Sequence, residues 1–249
     1  MAVVSRWKLD GDATDSAGTN DGSVVGVTAS WSDSLLASEP TGQSLNCEDG
    51  TSGVQVADDN SLDQPGTWIA SFRLDEAADD GQYLNVVGKG SDDWFLQVVG
   101  TAGLSRVEAG VRDASGTYFW AESDPLVEVG VTYRVAVTND GSTLRLYVDG
   151  VEADTVTGTA ARNTTNPLRI GVNTPTAFGL HGLIDEVVID DSPLTGQQVA
   201  DEYDAATTPP DPDPGIAVKV KQSGSLVDAV VKVKRAGSVV EGALSVGGS

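Results

Sequence analysis

Aromatic side chains are scarce in this chain of 249 residues, with five Trp, five Tyr and four Phe, so places where they stand beside carboxylates draw notice. Tyr118-Phe119-Trp120 follows the turn Asp113-Ala-Ser-Gly-Thr, and a strand through it must show a ring on each face. Asp93-Trp94 lies at a loop edge, and Phe178 stands close to His181 at another. An exposed ring offers a flat apolar surface, and a nearby carboxylate or amide can fix hydroxyl groups. Together they suit the recognition of sugar rings. Asp93, Trp94, Tyr118, Trp120 and Phe178 are therefore the candidate glycan-contacting residues. Trp7, Trp68, Phe72 and Tyr147 fall in regularly patterned strands and are assigned to the core.

Other chemistry is poorly supplied. The single Cys47 excludes an intrachain disulfide and a Cys-rich zinc site. The single His181 sits in a Gly-flanked turn, and no Ser-His-Asp order is persuasive. Asp185-Glu186 and Asp190-Asp191 are adjacent pairs, which strand alternation sends to opposite faces. Neither can act as a carboxylate pair on one substrate, and no catalysis is expected.

The elements that must position these residues are short strands. Alternation is clear in Trp68–Leu74, Tyr133–Val137, Leu144–Val148 and Leu183–Ile189. Asp149-Gly150 reads as a two-residue hairpin turn, and Asn139-Asp140-Gly141 as another turn. One helix is expected, starting after Thr195, whose hydroxyl can cap Gly196–Tyr203. The expected fold is all-β, a two-sheet jelly-roll sandwich over residues 1–206 with one short helix at its end.

Residues 207–215 change character. Pro209, Pro210, Pro212 and Pro214 stiffen this segment into a semi-rigid, extended linker. Residues 216–249 then form an internal repeat. Val218-Lys-Val-Lys-Gln-Ser-Gly-Ser-Leu-Val-Asp228 returns as Val231-Lys-Val-Lys-Arg-Ala-Gly-Ser-Val-Val-Glu241, each copy reading as strand, Gly-Ser turn, strand. Two such hairpins cannot bury enough surface to stand alone. Val218, Val220, Val231 and Val233, with Lys219 and Lys232, are thus the candidate assembly residues of an anchoring tail.

The formal charge of -22 averages over unlike parts. Residues 1–206 hold ten basic and 33 acidic side chains, whereas residues 216–249 hold five basic and two acidic ones. So acidic a surface repels phosphate and excludes a nucleic-acid-binding role. Its Asp excess and scarce Lys fit a protein adapted to high salt, where self-repulsion is screened. No run reaches the length of a membrane span, and Met1–Lys8 does not read as a secretion signal.

Four stretches resemble the laminin G-like, concanavalin A-like jelly-roll family. They are Trp7–Gly22 with its Asp-containing loop, Gln43–Val56 leading into Thr67–Leu74, Tyr133–Gly150 ending in Tyr-Val-Asp-Gly, and Phe178–Val187 followed by Leu194-Thr195. The family hosts lectins, enzymes and structural modules alike. Its retaining glycosidases carry two carboxylates on one strand, and no Glu-x-Asp-x-Glu pattern is present here. The resemblance also implies a structural calcium ion joining the N-terminal loop to the last strand, with Asp10, Asp15 and Asp185 as ligands.

The tail repeat is similar in style to hairpin repeats at the ends of tailed-virus structural proteins. The combined expectation is a non-catalytic adhesion protein on the surface, tail or capsid of a virus of a halophilic host. It would assemble in the host cytoplasm as a homo-oligomer docked to other virion structural proteins, and act outside on a host-surface glycan or glycoprotein. The alternatives are an inert decoration subunit of the same assembly, or a glycan-active hydrolase.

Overall fold

The computed structural model describes residues 3–26, 29–47, 50–90, 93–124, 126–158, 160–173, 179–210, 216–222 and 225–231, the last two segments as backbone. The chain divides into two compact units, Met1–Thr208 and Pro209–Ser249.

The first unit is a sandwich of two antiparallel sheets. One sheet takes β1 (Val3–Trp7), β3 (Ser30–Asp33), β4 (Gln43–Asn46), β6 (Thr67–Leu74), β11 (Thr132–Asn139), β12 (Thr143–Val148), β13 (Val151–Thr157) and β15 (Gly182–Asp190). The other takes β2 (Gly22–Val25), β5 (Gly53–Val56), β7 (Tyr83–Lys89), β8 (Trp94–Thr101), β9 (Leu104–Arg112), β10 (Tyr118–Glu122) and β14 (Leu168–Ile170). The first runs in the order β13-β12-β11-β6-β15-β4-β3 with β1 also paired to β15, and the second in the order β10-β9-β8-β7-β14-β5-β2. Every strand read from alternation is present. Trp7, Trp68, Phe72 and Tyr147 are all buried as assigned. Asp149 and Gly150 both take positive φ, 50° and 78°, the pair of values a primed hairpin turn requires between β12 and β13.

The helix α1 (Gly196–Thr207) begins with a full capping box. Thr195 accepts from the Gln198 amide, and the Gln198 side chain accepts from the Thr195 amide. The helix runs four residues past Tyr203, the end read from the sequence. Val199 and the preceding Leu194 form a small second core with Ile69, Ala136, Tyr147 and Val188 on the outer side of the first sheet. That second core explains why β15 is buried along its whole length.

β15 departs from simple alternation. Its register shifts between Asp185 and Val188, and Glu186 takes a φ of 41°. Ile184, Val187 and Ile189 all reach the main core, a phase that only an extra residue between 184 and 187 permits. The bulge, rather than alternation, therefore directs Asp185 and Glu186. Each has its own partners. Glu186 meets Arg6 at 2.9 Å and Arg134 at 3.0 Å, while Asp185 accepts from the Ser34 hydroxyl at 2.7 Å and the Leu35 amide at 2.8 Å. Both are buried, so neither is presented to a substrate.

In the second unit β16 (Ile216–Gln222) pairs with β17 (Ser225–Val231) in antiparallel register. Val220 stands opposite Val227, Lys219 opposite Asp228, Val218 opposite Ala229, and Val231 opposite Ile216. Ser225, read from sequence as part of the turn, pairs with Gln222 and opens β17 instead. Lys232, Val233 and the rest of the second repeat lie outside the described residues.

Burial is the main reason the Asp185 carboxyl is pushed up to about 6, with Glu186 and Asp10 adding repulsion against the Ser34 and Leu35 hydrogen bonds. The folded state then holds a proton that the unfolded chain releases from about pH 4 upward, so this group lowers stability as pH rises towards 6. The shift corresponds to about 3 kcal/mol. Urea unfolding of wild type and Asp185→Asn at pH 4 and pH 7 should show the variant gaining up to that amount relative to wild type at the higher pH. A stability difference independent of pH would contradict the assignment.

Candidate functional site

Alternation divides β8, β9 and β10 of the second sheet cleanly. Leu96 and Val98 of β8, Val107, Ala109 and Val111 of β9, and Ala121 of β10 enter the core. The intervening positions face outward. Register then sets Phe95, Gly110 and Trp120 in one row across β8, β9 and β10, and Gln97, Glu108 and Glu122 in the next. Tyr118 stands opposite Arg112, and Tyr83 of β7 opposite Val99 of β8.

These outward residues line a hollow of about 420 Å³, formed by Tyr83, Phe95, Gln97, Glu108, Tyr118, Trp120 and Asn173. That volume is within the usual range of small-molecule sites. Phe95 is 4% exposed and forms the floor, whereas Tyr83, Tyr118 and Trp120 stand 47%, 39% and 51% exposed. Gly110 keeps the floor low, because a Cβ there would lie 2.7 Å from the Phe95 ring and 2.5 Å from the Phe119 carbonyl oxygen. The polar component is a pair, with Gln97 Nε2 donating to Glu108 Oε1 at 2.9 Å.

The neighbouring turn holds the aromatic strand in place. Asp113 Oδ1 accepts from the Ser115 amide and hydroxyl and from the Thr117 amide, at 2.7–2.8 Å. The Ser115 hydroxyl is the chief cause that holds the Asp113 carboxyl below the usual carboxylate range. Arg112 lies over the Tyr118 ring, 4.8 Å from its centroid, and its Nε donates to the Gly116 carbonyl. Cation and ring so arranged attract each other and orient Tyr118.

Of the five residues singled out from sequence for sugar contact, the structure brings two together here, Tyr118 and Trp120. Trp94 is corrected to a core residue. It is fully buried, its ring centroid is 5.4 Å from that of Trp68, and its Nε1 donates to the Leu62 carbonyl at 2.8 Å. Asp93 is corrected to a structural clamp. Its buried carboxylate accepts from Arg162 Nε, Thr164 Oγ1 and Asn166 Nδ2, tying a long loop to the start of β8. Its carbonyl also accepts from the Arg112 amide at 3.0 Å, so it supports the strand end that carries the Tyr118 partner. Phe178 lies outside the described residues.

Tyr83, Phe95, Gln97, Glu108 and Asn173 were not found from sequence. One signal was available. In Trp94-Phe-Leu-Gln97 the polar Gln97 marks the outward positions, which places Phe95 outward and Trp94 inward. The cross-strand register that joins Glu108 to Gln97 has no such local mark.

The carboxylates of the expected calcium site are only partly suited to an ion. Asp15 accepts from the amides of Arg6, Ala17 and Gly18 on Oδ1 and of Asn20 on Oδ2, at 2.9–3.0 Å. Burial alone would raise its pKa, but those four donors outweigh it and hold the group below the usual range. Asp15 thus has no need of a cation. Asp10 accepts from the Gln43 amide, and Asp185 keeps one buried oxygen, Oδ1, without a hydrogen-bond partner. Among the described residues no three His, Cys, Asp or Glu side chains gather into a metal-binding group.

The family model of the concanavalin A-like lectin/glucanases superfamily matches residues 48–200. Solved structures agree on the fold. Domain 4 of AbnA, a GH43 extracellular arabinanase from Geobacillus stearothermophilus solved with arabinotriose, superimposes with a TM-score of 0.63 at 20% identity, over 83% of this chain and 98% of its own. The binding domain of Paraclostridial Mosquitocidal Protein 1 gives 0.62 at 15% identity, over 82% of this chain and 52% of its own. The ligand-binding domain of botulinum neurotoxin serotype D, solved with N-acetylneuraminic acid, gives 0.62 at 12%, over 88% and 53%. No curated protein sequence matches the chain.

Core and surface assignments separate the two tryptophans by energy. Trp94→Ala should cost about 3–5 kcal/mol in urea unfolding, from lost burial and the cavity left behind. Trp120→Ala should stay within about 0.5 kcal/mol of wild type, as an exposed side chain does. Equal losses would overturn the division of β8 and β10 into inner and outer faces.

Proposed function

Because the chain belongs to the concanavalin A-like lectin/glucanases superfamily, we propose that its first unit is a non-catalytic carbohydrate-binding module, with the hollow on the outer face of the second sheet as its site. The observation that carries this reading is the composition of the hollow. Three exposed aromatic rings stand around an apolar floor, beside one amide–carboxylate pair. Sugars need this combination, since their C–H faces stack on rings while their hydroxyls seek fixed donors and acceptors. Among the described residues Glu108 is the single carboxylate that lines the hollow, one short of the pair that glycoside hydrolysis uses.

The wider role rests on the sequence. A Pro-rich spacer and a basic hairpin repeat follow an acidic module, an arrangement that supports attachment of many copies to one particle. We read it as a virion surface, tail or capsid-associated protein of a virus of a halophilic host, docked through the hairpins to other structural proteins as an oligomer. Weak single sites then act together on host-surface glycans by multivalency. Among the described residues no helix is long and apolar enough to cross a membrane.

A structural calcium, as part of this proposal, would be held by Asp185 through its unpaired Oδ1, with Asp10 nearby. Carbonyls and water would have to complete the shell. Calcium should then raise the melting temperature of wild type but not of Asp185→Asn. A chelator without effect on wild type removes the ion from the account.

The site itself is tested by glycan-array screening in high salt followed by titration of the best ligand. Trp120→Ala and Tyr118→Ala should each weaken binding at least about tenfold, about 1.4 kcal/mol, as expected of anchoring aromatics. Binding unchanged in the double variant would reject the hollow. Absence of any glycan ligand would instead favour an inert decoration subunit.

A further inference from the structure

The hollow also bears on which glycans can enter it, an inference that rests on the carbohydrate-binding reading. We propose that the site takes uncharged oligosaccharides laid across the strands, and discriminates against sialylated, sulfated or uronate-bearing ones.

The first ground is charge. Among the described lining residues Glu108 is the one carboxylate, and none is a Lys, Arg or His. Two arginines share the outward face of β9, and neither is among the described lining residues. Arg106 lies against Glu122 at 3.2 Å and donates to the Ser123 carbonyl at 2.9 Å. Arg112 lies over the Tyr118 ring, with its Nε donating to the Gly116 carbonyl. An acidic sugar would therefore meet Glu108 with no guanidinium among the described lining residues to bind its carboxylate, the partner that anion sites normally supply. The acidic field of residues 1–206 works in the same direction.

The second ground is extent. Tyr118 and Trp120 are alternate residues of one strand, about 7 Å apart along it. β10 and β7 are separated by β9 and β8, and the register sets Tyr83 two rows further along than Trp120, so the two stand about 19 Å apart on a diagonal across the sheet. The Phe95 floor and the Gln97–Glu108 pair fall between them. One sugar ring cannot reach both walls, whereas a short linear chain can stack at each end and place its hydroxyls on the polar pair midway.

The full-length chain should be screened on an array of neutral and acidic glycans in high salt, with affinities then measured for matched pairs such as lactose and 3′-sialyllactose, or a neutral trisaccharide and its uronate-capped form. Neutral members should bind at least about tenfold tighter, and trisaccharides tighter than their monosaccharides. Glu108→Gln should raise the ratio of acidic to neutral affinity by about tenfold. If the acidic members bind tighter and Trp120→Ala abolishes that binding, the discrimination is wrong while the site stands. If no glycan binds, or Trp120→Ala leaves binding intact, both the discrimination and the site are rejected.

Discussion

Two sheets share one apolar layer between them, and that sharing dictates most of what the first unit can present. The strands β8, β9 and β10 give their alternate residues to the layer, as Leu96, Val98, Val107, Ala109, Val111 and Ala121 show. The remaining positions have no choice but to face away. The hollow is built from those remaining positions together with the loop residue Asn173. Phe95, Gln97, Glu108, Tyr118 and Trp120 owe their shared surface to the packing requirement of their neighbours, and the antiparallel register decides which stand side by side.

Loops complete the surface through buried polar groups. Asp93 meets Arg162, Thr164 and Asn166, and Lys89 meets Asp58 and Asp63 beside the Thr164 and Asn166 carbonyls. Each of these charges is paired inside the fold, as burial demands. Removing one partner of such a pair leaves the other charge buried and alone, which is costly even where the intact pair adds little. Asp185 differs from them, with one oxygen lacking a hydrogen bond and its proton held to higher pH. It belongs to β15 of the first sheet, whereas the strand residues of the hollow belong to the second, so the titrating group and the proposed binding face are separate features of the module.

The sandwich was legible because alternation, the Asp149-Gly150 turn and the Thr195 cap are local signals with local causes. The site was legible in part. Tyr118 and Trp120 are two residues apart on one strand, so placing one outward places both. Trp94 misled because its position at a loop edge was weighed above the phase of the strand it begins. Asp93 misled because a buried, fully bonded Asp and an exposed one read alike in sequence. The bulge at Glu186 was invisible for a similar reason. A bulge inserts one residue without a fixed residue type, and only the burial of Ile184, Val187 and Ile189 together reveals the change of phase.

The most direct test of the central claim uses the five tryptophan indole N–H signals in a two-dimensional NMR spectrum. Trp7, Trp68 and Trp94 are fully buried, Trp31 lies in β3 of the first sheet, and Trp120 stands on the rim of the hollow. Titration with a bound neutral oligosaccharide should move the Trp120 signal strongly and leave the other four in place. Movement of the Trp31 signal with Trp120 unmoved would put the ligand on the other sheet and contradict the account.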